Sequence, residues 1–421
     1  MLHSLKKLLP LFGALGGIVT VEAAPAATDA TTAATSTSDA LPTTAAYFVS
    51  GSTTTFSSTT LTATGTNEGV IIVKETGVAY FDNVTFIKTG NSTSDEDSSF
   101  TDLNAAIGIE TNGTVYITTS NIKTSGESAN ALHTYEDGAT AYLTDVSIHA
   151  EGDGSHGIYT AGGTIYGQNL NVYTYDGHSS AIATDRGGGL IVVDDSAAYT
   201  YGALSALVYS TGNITTSSLV GVADIAPIAC IDGSNSFTLI NPRVSSGTQN
   251  NGVFQIVSTV ATNGTTDTAY AYVTGGSVAE TNGTYALIFV ANIQAYVYVT
   301  STDLIIKSGI LANITSTDQW GSSGVNGGTA SVFLTDVHVT GDIHVDDISS
   351  VSLYLINSQW TGSINSGNTS GTSSVYVDAD SSWTLSGDSN IDSLGLARRH
   401  SDSKIHRSRY TLSYGKEVSK W

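Results

Sequence analysis

Apolar and polar residues alternate along most of this chain. In "TVYIT" (residues 114–118), Val115 and Ile117 fall on one side and Thr114, Tyr116 and Thr118 on the other, which is the period of a half-buried β-strand. A polar corner and a second short strand ("NIKT") follow, and a third strand ("NALHT") leads into a glycine-bearing turn. The phrase then returns as "TAYLTDVSIHA". Aligned on its tyrosine, it recurs at Tyr80, Tyr116, Tyr142, Tyr166, Tyr272, Tyr298, Tyr354 and Tyr376, with Phe333 substituting once and Val192, Thr215 and Thr238 filling weaker copies. Three positions on stands a small polar residue, as at Asn83, Thr119, Asp145 and Asn169, and three further on an apolar one, as at Phe86, Ile122, Ile148 and Val172. Most copies lie roughly 21 to 26 residues apart, and three gaps of about 34 to 36 fit one coil plus a loop insertion.

This repeat predicts an all-β chain folded as a parallel β-helix, with three strands in each coil of about 24 residues and roughly 12 coils. Stacked coils bring equivalent positions to about 4.8 Å, so each coil buries its inward side chains only against a neighbour in the same register. The phrase repeats because its packing partner is itself. Asn and Asp are expected to ladder at the corner, tyrosines on the outer face and β-branched residues inside, with Gly supplying positive φ at tight corners.

The register predicts a β-helix over residues 47–394. Residues 1–23 read as a signal peptide, with Lys6 and Lys7 before an apolar run and cleavage after Ala23. Residues 24–46, rich in Ala, Thr and Ser, read as a linker. Residues 395–421 form a basic tail, in which Arg398 and Arg399 mark a processing site or the whole is a poorly packed extension. No further apolar segment follows the leader, so the expected product is secreted and cell-wall associated, with no membrane span after signal removal. Eight N-x-S/T triplets fit export: Asn83, Asn91, Asn112, Asn213, Asn263, Asn282, Asn313 and Asn368.

Charge narrows the partners. The chain carries 15 Lys and Arg against 37 Asp and Glu, a formal net charge of −22. Between residues 24 and 396 the basic residues are Lys74, Lys88, Lys123, Arg186, Arg243 and Lys307. Such a body repels nucleic acid and anionic membrane surfaces. The lone Cys230 excludes an internal disulfide.

The strings "SSAIATDRGGG" (residues 179–189) and "WGSSGVNGG" (residues 320–328), set in a Thr- and Gly-rich coil array, resemble those of secreted right-handed β-helix proteins of fungi and bacteria in the pectin-lyase-like superfamily. The resemblance implies a right-handed coil and, among activities, polysaccharide lysis or glycoside hydrolysis. A polygalacturonase-like site would add an Asn-Thr-Asp triplet and an Arg-x-Lys clamp, and the chain has neither.

The best local constellation lies on successive third strands and their turns: His133, Glu136 and Asp137, then His156 and Tyr159, then His178, Asp185 and Arg186. Stacking places these on one patch, a candidate ligand site. Catalysis there would fall to Asp185 and Arg186 with His156 and His178. The plainer expectation is that Arg186 pairs with Asp185 or a carboxylate of a neighbouring turn and fixes the glycine turn at 187–189. The tyrosine column reads as a structural ladder, with Tyr166, at its interruption, as the ring free to meet a sugar. Asp95, Glu96, Asp97 and Asp102 offer a set of ligands for Ca²⁺ as a cofactor, and the plainer expectation is a solvated acidic loop, because no EF-hand spacing is present. No complete catalytic set emerges, so the expected function is a secreted, glycosylated, non-catalytic adhesin-like or carbohydrate-associated protein, with polysaccharide or cell-wall glycan as partner. The oligomeric state is not encoded in any of these features.

Overall fold

The structure, a computed structural model, describes residues 43–397 and 404–418. The expected signal peptide, residues 24–42 of the linker, and Arg398 and Arg399 lie outside the described residues. The remainder is a parallel β-solenoid of about 15 turns, so the predicted fold is the observed one. The tyrosine strands run from Thr53–Ala63 to Leu412–Val418, and the third strands form a 12-stranded sheet from Thr44–Ser50 to Asp342–Val345. Short second strands such as Asn121–Thr124 complete each coil and pair parallel with their neighbours, as Ser147–Ala150 does on either side. The three turns beyond the expected 12 come from coils whose tyrosine slot holds Thr55, Gly395 or Val418. The stack therefore runs past residue 394: Ile405–His406 pairs with Ser382–Thr384, and Leu412–Val418 with Ser389–Leu396.

Register is kept throughout the tyrosine face. Tyr116 pairs with Tyr142, Tyr142 with Tyr166, Tyr166 with Val192, and so on through Thr215 and Thr238 to Tyr272. The rings stack: Tyr80, Tyr116, Tyr142 and Tyr166 lie 4.9, 4.9 and 5.2 Å apart with planes within 12°. A second stack runs Tyr272, Tyr298, Phe333, Tyr354, Tyr376 at 4.5–5.0 Å. Inward of these, Val115, Ala141, Ile165, Ile191, Ile214 and Phe237 form a continuous buried column. Burying each such aliphatic side chain contributes about 1.5–3 kcal/mol. Near the C-terminal end Trp360 stacks on Trp383 at 4.9 Å, and each indole Nε1 donates to the carbonyl of a buried neighbour turn, Gly341 and Gly362.

The polar corner is a conformational requirement as well as a ladder. Asn83, Thr119, Asp145, Asn169, Asp195, Ser218, Asn241, Ser301, Asp336 and Asn357 all hold φ between 46° and 56°. Glycine fills that slot in the Tyr272 coil, at Gly275 with φ 69°. Left-handed φ is tolerated best by Asn and Asp after Gly, so the amides and carboxylates expected to ladder at the corners also supply the positive φ expected of glycine there. Their side chains also ladder: Asn169 Nδ2 donates to Asp145 Oδ1, and Asn83 Nδ2 to Ser58 Oγ at 3.2 Å. Buried turn N–H groups are met by serines of the next coil, as Ala129 N by Ser155 Oγ, Ser155 N by Ser179 Oγ, and Ser179 N by Ser205 Oγ, at 2.9–3.0 Å. An unmet buried N–H would be costly, so these serines are structural.

Thr119 is a β-branched, exposed residue held at φ 49°. Thr119→Asn is therefore expected to raise stability by about 1 kcal/mol, read as a higher urea midpoint. An unchanged or lower midpoint would count against the corner being strained.

Candidate functional site

The outward side chains of the third sheet form a row from Gly108 through His133, Tyr159, Ala183, Tyr209 and Cys230 to Gln255 and Phe289. An outward row would ordinarily face water, yet most of this one is buried. Two insertions roof it. The first, residues 91–104, contains the helix Asp95–Phe100, capped by Ser94, whose Oγ accepts the Asp97 N–H. It is pinned by Asn130 Nδ2 to Ser98 O at 3.0 Å and by Asn104 Nδ2 to Gly90 O at 3.0 Å. The second roof comes from residues 258–267 and 315–326. Asn292 Nδ2 donates to the Ser258 and Ala261 carbonyls, and Trp320 packs on Val257, Phe289 and Ala291.

Between the roofs lies a groove of ≈ 710 Å³, bordered by Asp95, Asp153, His156, His178, Asp185 and Tyr209, with Cys230 and Gln255 further along it. That volume is within the range of small-ligand sites. Tyr159 Oη donates to Asp185 Oδ2 at 2.7 Å, and its ring stacks on His156 at 4.5 Å. Burial raises the Asp185 pKa against the lowering effect of that hydrogen bond. The Tyr159 hydroxyl is raised well above its ordinary value, by burial and then by the adjacent Asp185 charge. His156 Nδ1 accepts the Ser180 N–H at 3.0 Å, which leaves the proton of the neutral ring on Nε2. Burial lowers the His156 pKa to about 4.

The remaining predicted residues divide. His133 is fully buried under the first roof, edge-on to Tyr159 at 4.7 Å, and desolvation lowers its pKa to about 3, so it does not line the groove. His178 does, with Nδ1 3.5 Å from Asp153 Oδ1. Arg186 turns onto the roof: its guanidinium carbon lies 4.3 Å from the Phe100 ring centre and Nη1 3.7 Å from Glu96 Oε1. The expected partnership with Asp185 reduces to its backbone N–H, which donates to Asp185 Oδ1 at 2.7 Å. The turn after it is fixed by its own glycines, with φ 97°, 70° and 124° at Gly187, Gly188 and Gly189. Glu136 and Asp137 sit exposed on the turn that follows Leu132–Tyr135, outside the groove lining, where Glu136 accepts from Thr111 Oγ1. Tyr166 ends its stack on the tyrosine face, away from the third sheet.

The four acids proposed for Ca²⁺ separate as well. Asp95 accepts from Ser128 Oγ at the groove, Glu96 faces Arg186, and Asp97 lies in the first helical turn. Asp102 is buried beside Gly108, where a Cβ would come within 2.2 Å of Oδ2, and desolvation raises its pKa well above the carboxylate range. Among the described residues no group of three or more His, Cys, Asp or Glu is placed to hold a metal ion.

Sequence reasoning missed Tyr209, Asp232, Asp153 and Gln255. The first two repeat the Tyr159–Asp185 pair: Tyr209 Oη donates to Asp232 Oδ2 at 3.4 Å, and Asp232 also accepts the Thr259 N–H and hydroxyl at 2.8 and 2.7 Å. Burial raises the Asp232 pKa, as at Asp185. A Tyr in a third strand followed one coil later by an Asp at the strand's end, as in "HGIYT" with "AIATD" and "ALVYS" with "ACID", was the available signal.

Compared with protein-family models, curated proteins and solved structures, the chain matches none. What is shown is the fold alone, a parallel β-solenoid.

His156 ties this site to pH. Its folded pKa of about 4 lies below the ordinary 6.5, so between these values the unfolded chain binds a proton that the folded chain refuses, and stability falls as pH drops. Asp185 and Asp232, with raised values, act in the opposite sense. His156→Gln keeps an acceptor for Ser180 and removes only the histidine share. Relative to this variant, the wild-type protein should lose about 1.4 kcal/mol per pH unit between pH 6.5 and about 4 in urea unfolding; parallel pH profiles would reject the assignment.

Proposed function

We propose that this chain is a secreted, N-glycosylated, non-catalytic β-solenoid of the cell surface or extracellular matrix that holds a glycan in the groove of its third sheet. The observation that carries the reading is the groove itself: it has the volume of a ligand site and offers carboxylate and imidazole groups beside the Tyr209 ring, while Arg186 is engaged by Glu96 and Phe100. Carboxylates such as Asp185 and Asp153 accept sugar hydroxyls, the Nε2–H of His156 donates, and aromatic faces stack on pyranose rings. A net charge of −22 disfavours uronate polymers and nucleic acid and favours a neutral glycan. The leader at residues 1–23 and the eight sequons support export and glycosylation. Among the described residues no helix is long and apolar enough to cross a membrane. Kinship to the adhesin-like members of the pectin-lyase-like superfamily is part of the reading, supported by the solenoid and the strings at 179–189 and 320–328.

The enzymatic alternative is a polysaccharide lyase or glycoside hydrolase working through Asp185, with Arg186, His156 and His178. Its support is the raised pKa of Asp185, a property suited to a general acid. Against it stand the roof contacts of Arg186 and the occupied Nδ1 of a neutral His156.

Glycan-array binding followed by calorimetry on neutral and uronate oligosaccharides tests both. A neutral oligosaccharide should bind, and Tyr209→Ala and Asp185→Asn should each weaken it by about tenfold or more. Release of reducing ends or unsaturated product, abolished in Asp185→Asn, would establish the enzyme in place of the binding protein.

A further inference from the structure

The tyrosine ladder has one long gap, the three coils of Val192, Thr215 and Thr238. Its far wall is made of two rings. Tyr270 and Tyr272 stand side by side, 6.5 Å apart with planes 6° apart, and each is backed by the next coil, Tyr270 by Tyr296 at 5.4 Å and Tyr272 by Tyr298 at 5.0 Å. Their opposite faces look along the stack towards Ser236 and Thr238, the residues they pair with, and no ring of the described residues stacks there. One coil beyond Ser236, in the same row, is Asn213, exposed and the first residue of the triplet Asn213-Ile214-Thr215. Ser236 Oγ donates to Asn213 Oδ1 at 3.2 Å, which orients the amide and leaves Nδ2 as the group facing solvent. Among the eight sequons, Asn213 alone begins a strand of the tyrosine face inside the gap.

We infer that Asn213 carries an N-linked glycan whose first sugars lie in this gap with a face against Tyr270 and Tyr272, continuing the aromatic ladder with pyranose rings. The inference rests on the secretory reading above but not on the groove. Attachment uses a polyprenyl-diphosphate-linked oligosaccharide: Asn213 Nδ2 forms a bond to the anomeric carbon, the bond from that carbon to the diphosphate oxygen breaks, the diphosphate leaves with the electron pair, and the amide proton passes to a base. Asn213 is two coils, about 10 Å, from the Tyr270 ring. Extending from Nδ2, the first two sugars together cover the two coil spacings along this row, which brings a pyranose ring to the level of Ser236, one coil spacing from the ring face, the separation at which the tyrosines themselves stack. Pyranose C–H groups against the face of an aromatic ring bury apolar area on both sides, and the hydroxyl-bearing floor of Ser236 and Thr238 meets the polar edge of the sugar. The substitution that opens the ladder and the triplet that fills it thus occur in the same coils.

The full-length chain secreted from a eukaryotic host tests this, by site-resolved mass spectrometry during digestion of the native protein with an endoglycosidase that cuts between the first two sugars. Asn213 should be occupied and should be trimmed about tenfold more slowly than the exposed Asn368, the difference vanishing after denaturation. Tyr270→Thr with Tyr272→Thr, residues this face already accepts at Thr215 and Thr238, should remove the protection without lowering occupancy. Equal trimming at Asn213 and Asn368 in the native protein would overturn the docking while leaving glycosylation intact. An unmodified Asn213 beside modified sequons elsewhere would overturn the site and leave the secretory reading standing. No sugar at any sequon would overturn both.

Discussion

Everything in this fold depends on parallel, in-register stacking of one coil on the next. The backbone ladder fixes the spacing, and the spacing then dictates side-chain chemistry, because each residue meets its own equivalent about 4.8 Å away. Apolar residues gain a partner at every level, as along the Val115–Ala141–Ile165 column. Tyrosines gain a stacked face, and corner amides gain a carboxylate or hydroxyl, as Asn169 does from Asp145. Like charges would gain a repulsion, and this gives a physical reason for a body with only 12% charged residues. Stability is then largely a sum over neighbouring coils.

Turns are where such a ladder is weakest, since buried N–H groups there point at no strand. The chain answers with serine, whose hydroxyl accepts the turn N–H of the preceding coil and donates onward to a carbonyl, as Ser155 Oγ does to Gly126 O at 2.9 Å. It answers with left-handed corners as well, where residues other than glycine, from Ser58 to Asn357, take up the strained φ. The strain is accepted because the corner sets the direction of two strands at once, and losing it would break the register of both.

These requirements explain what was legible in the sequence. Whatever depends on self-similarity could be read: the tyrosine slot, the corner three residues on, the inward residue after it, and the common face of His156, Tyr159, His178 and Asp185. Whatever depends on an insertion crossing several coils could not. The roof of residues 91–104 obeys no repeat, so the burial of His133, the capture of Arg186 by Glu96 and Phe100, and the removal of Asp102 from the other acids left no periodic trace. Tyr209 and Asp232 escaped notice for a subtler reason. Their two coils have Val192 and Thr215 in the tyrosine slot, and alignment on tyrosine drew attention away from the third strands of weak copies.

A ladder that satisfies itself offers little to any other molecule: its ring faces are covered, its amides are paired and its backbone is spent. Free chemistry therefore concentrates where the repeat is interrupted. On the third sheet the interruption is the interval between two roofs, where Asp185 is held by Tyr159 with a raised pKa and the Tyr209 ring borders the groove. On the tyrosine face it is the run of Val192, Thr215 and Thr238, where two ring faces lose their partners. In an ordinary globular enzyme a loop supplies the site and the scaffold supports it. Here the scaffold opens a space by withholding some of its own rings, and the shape of what is missing is a flat ring at one coil spacing.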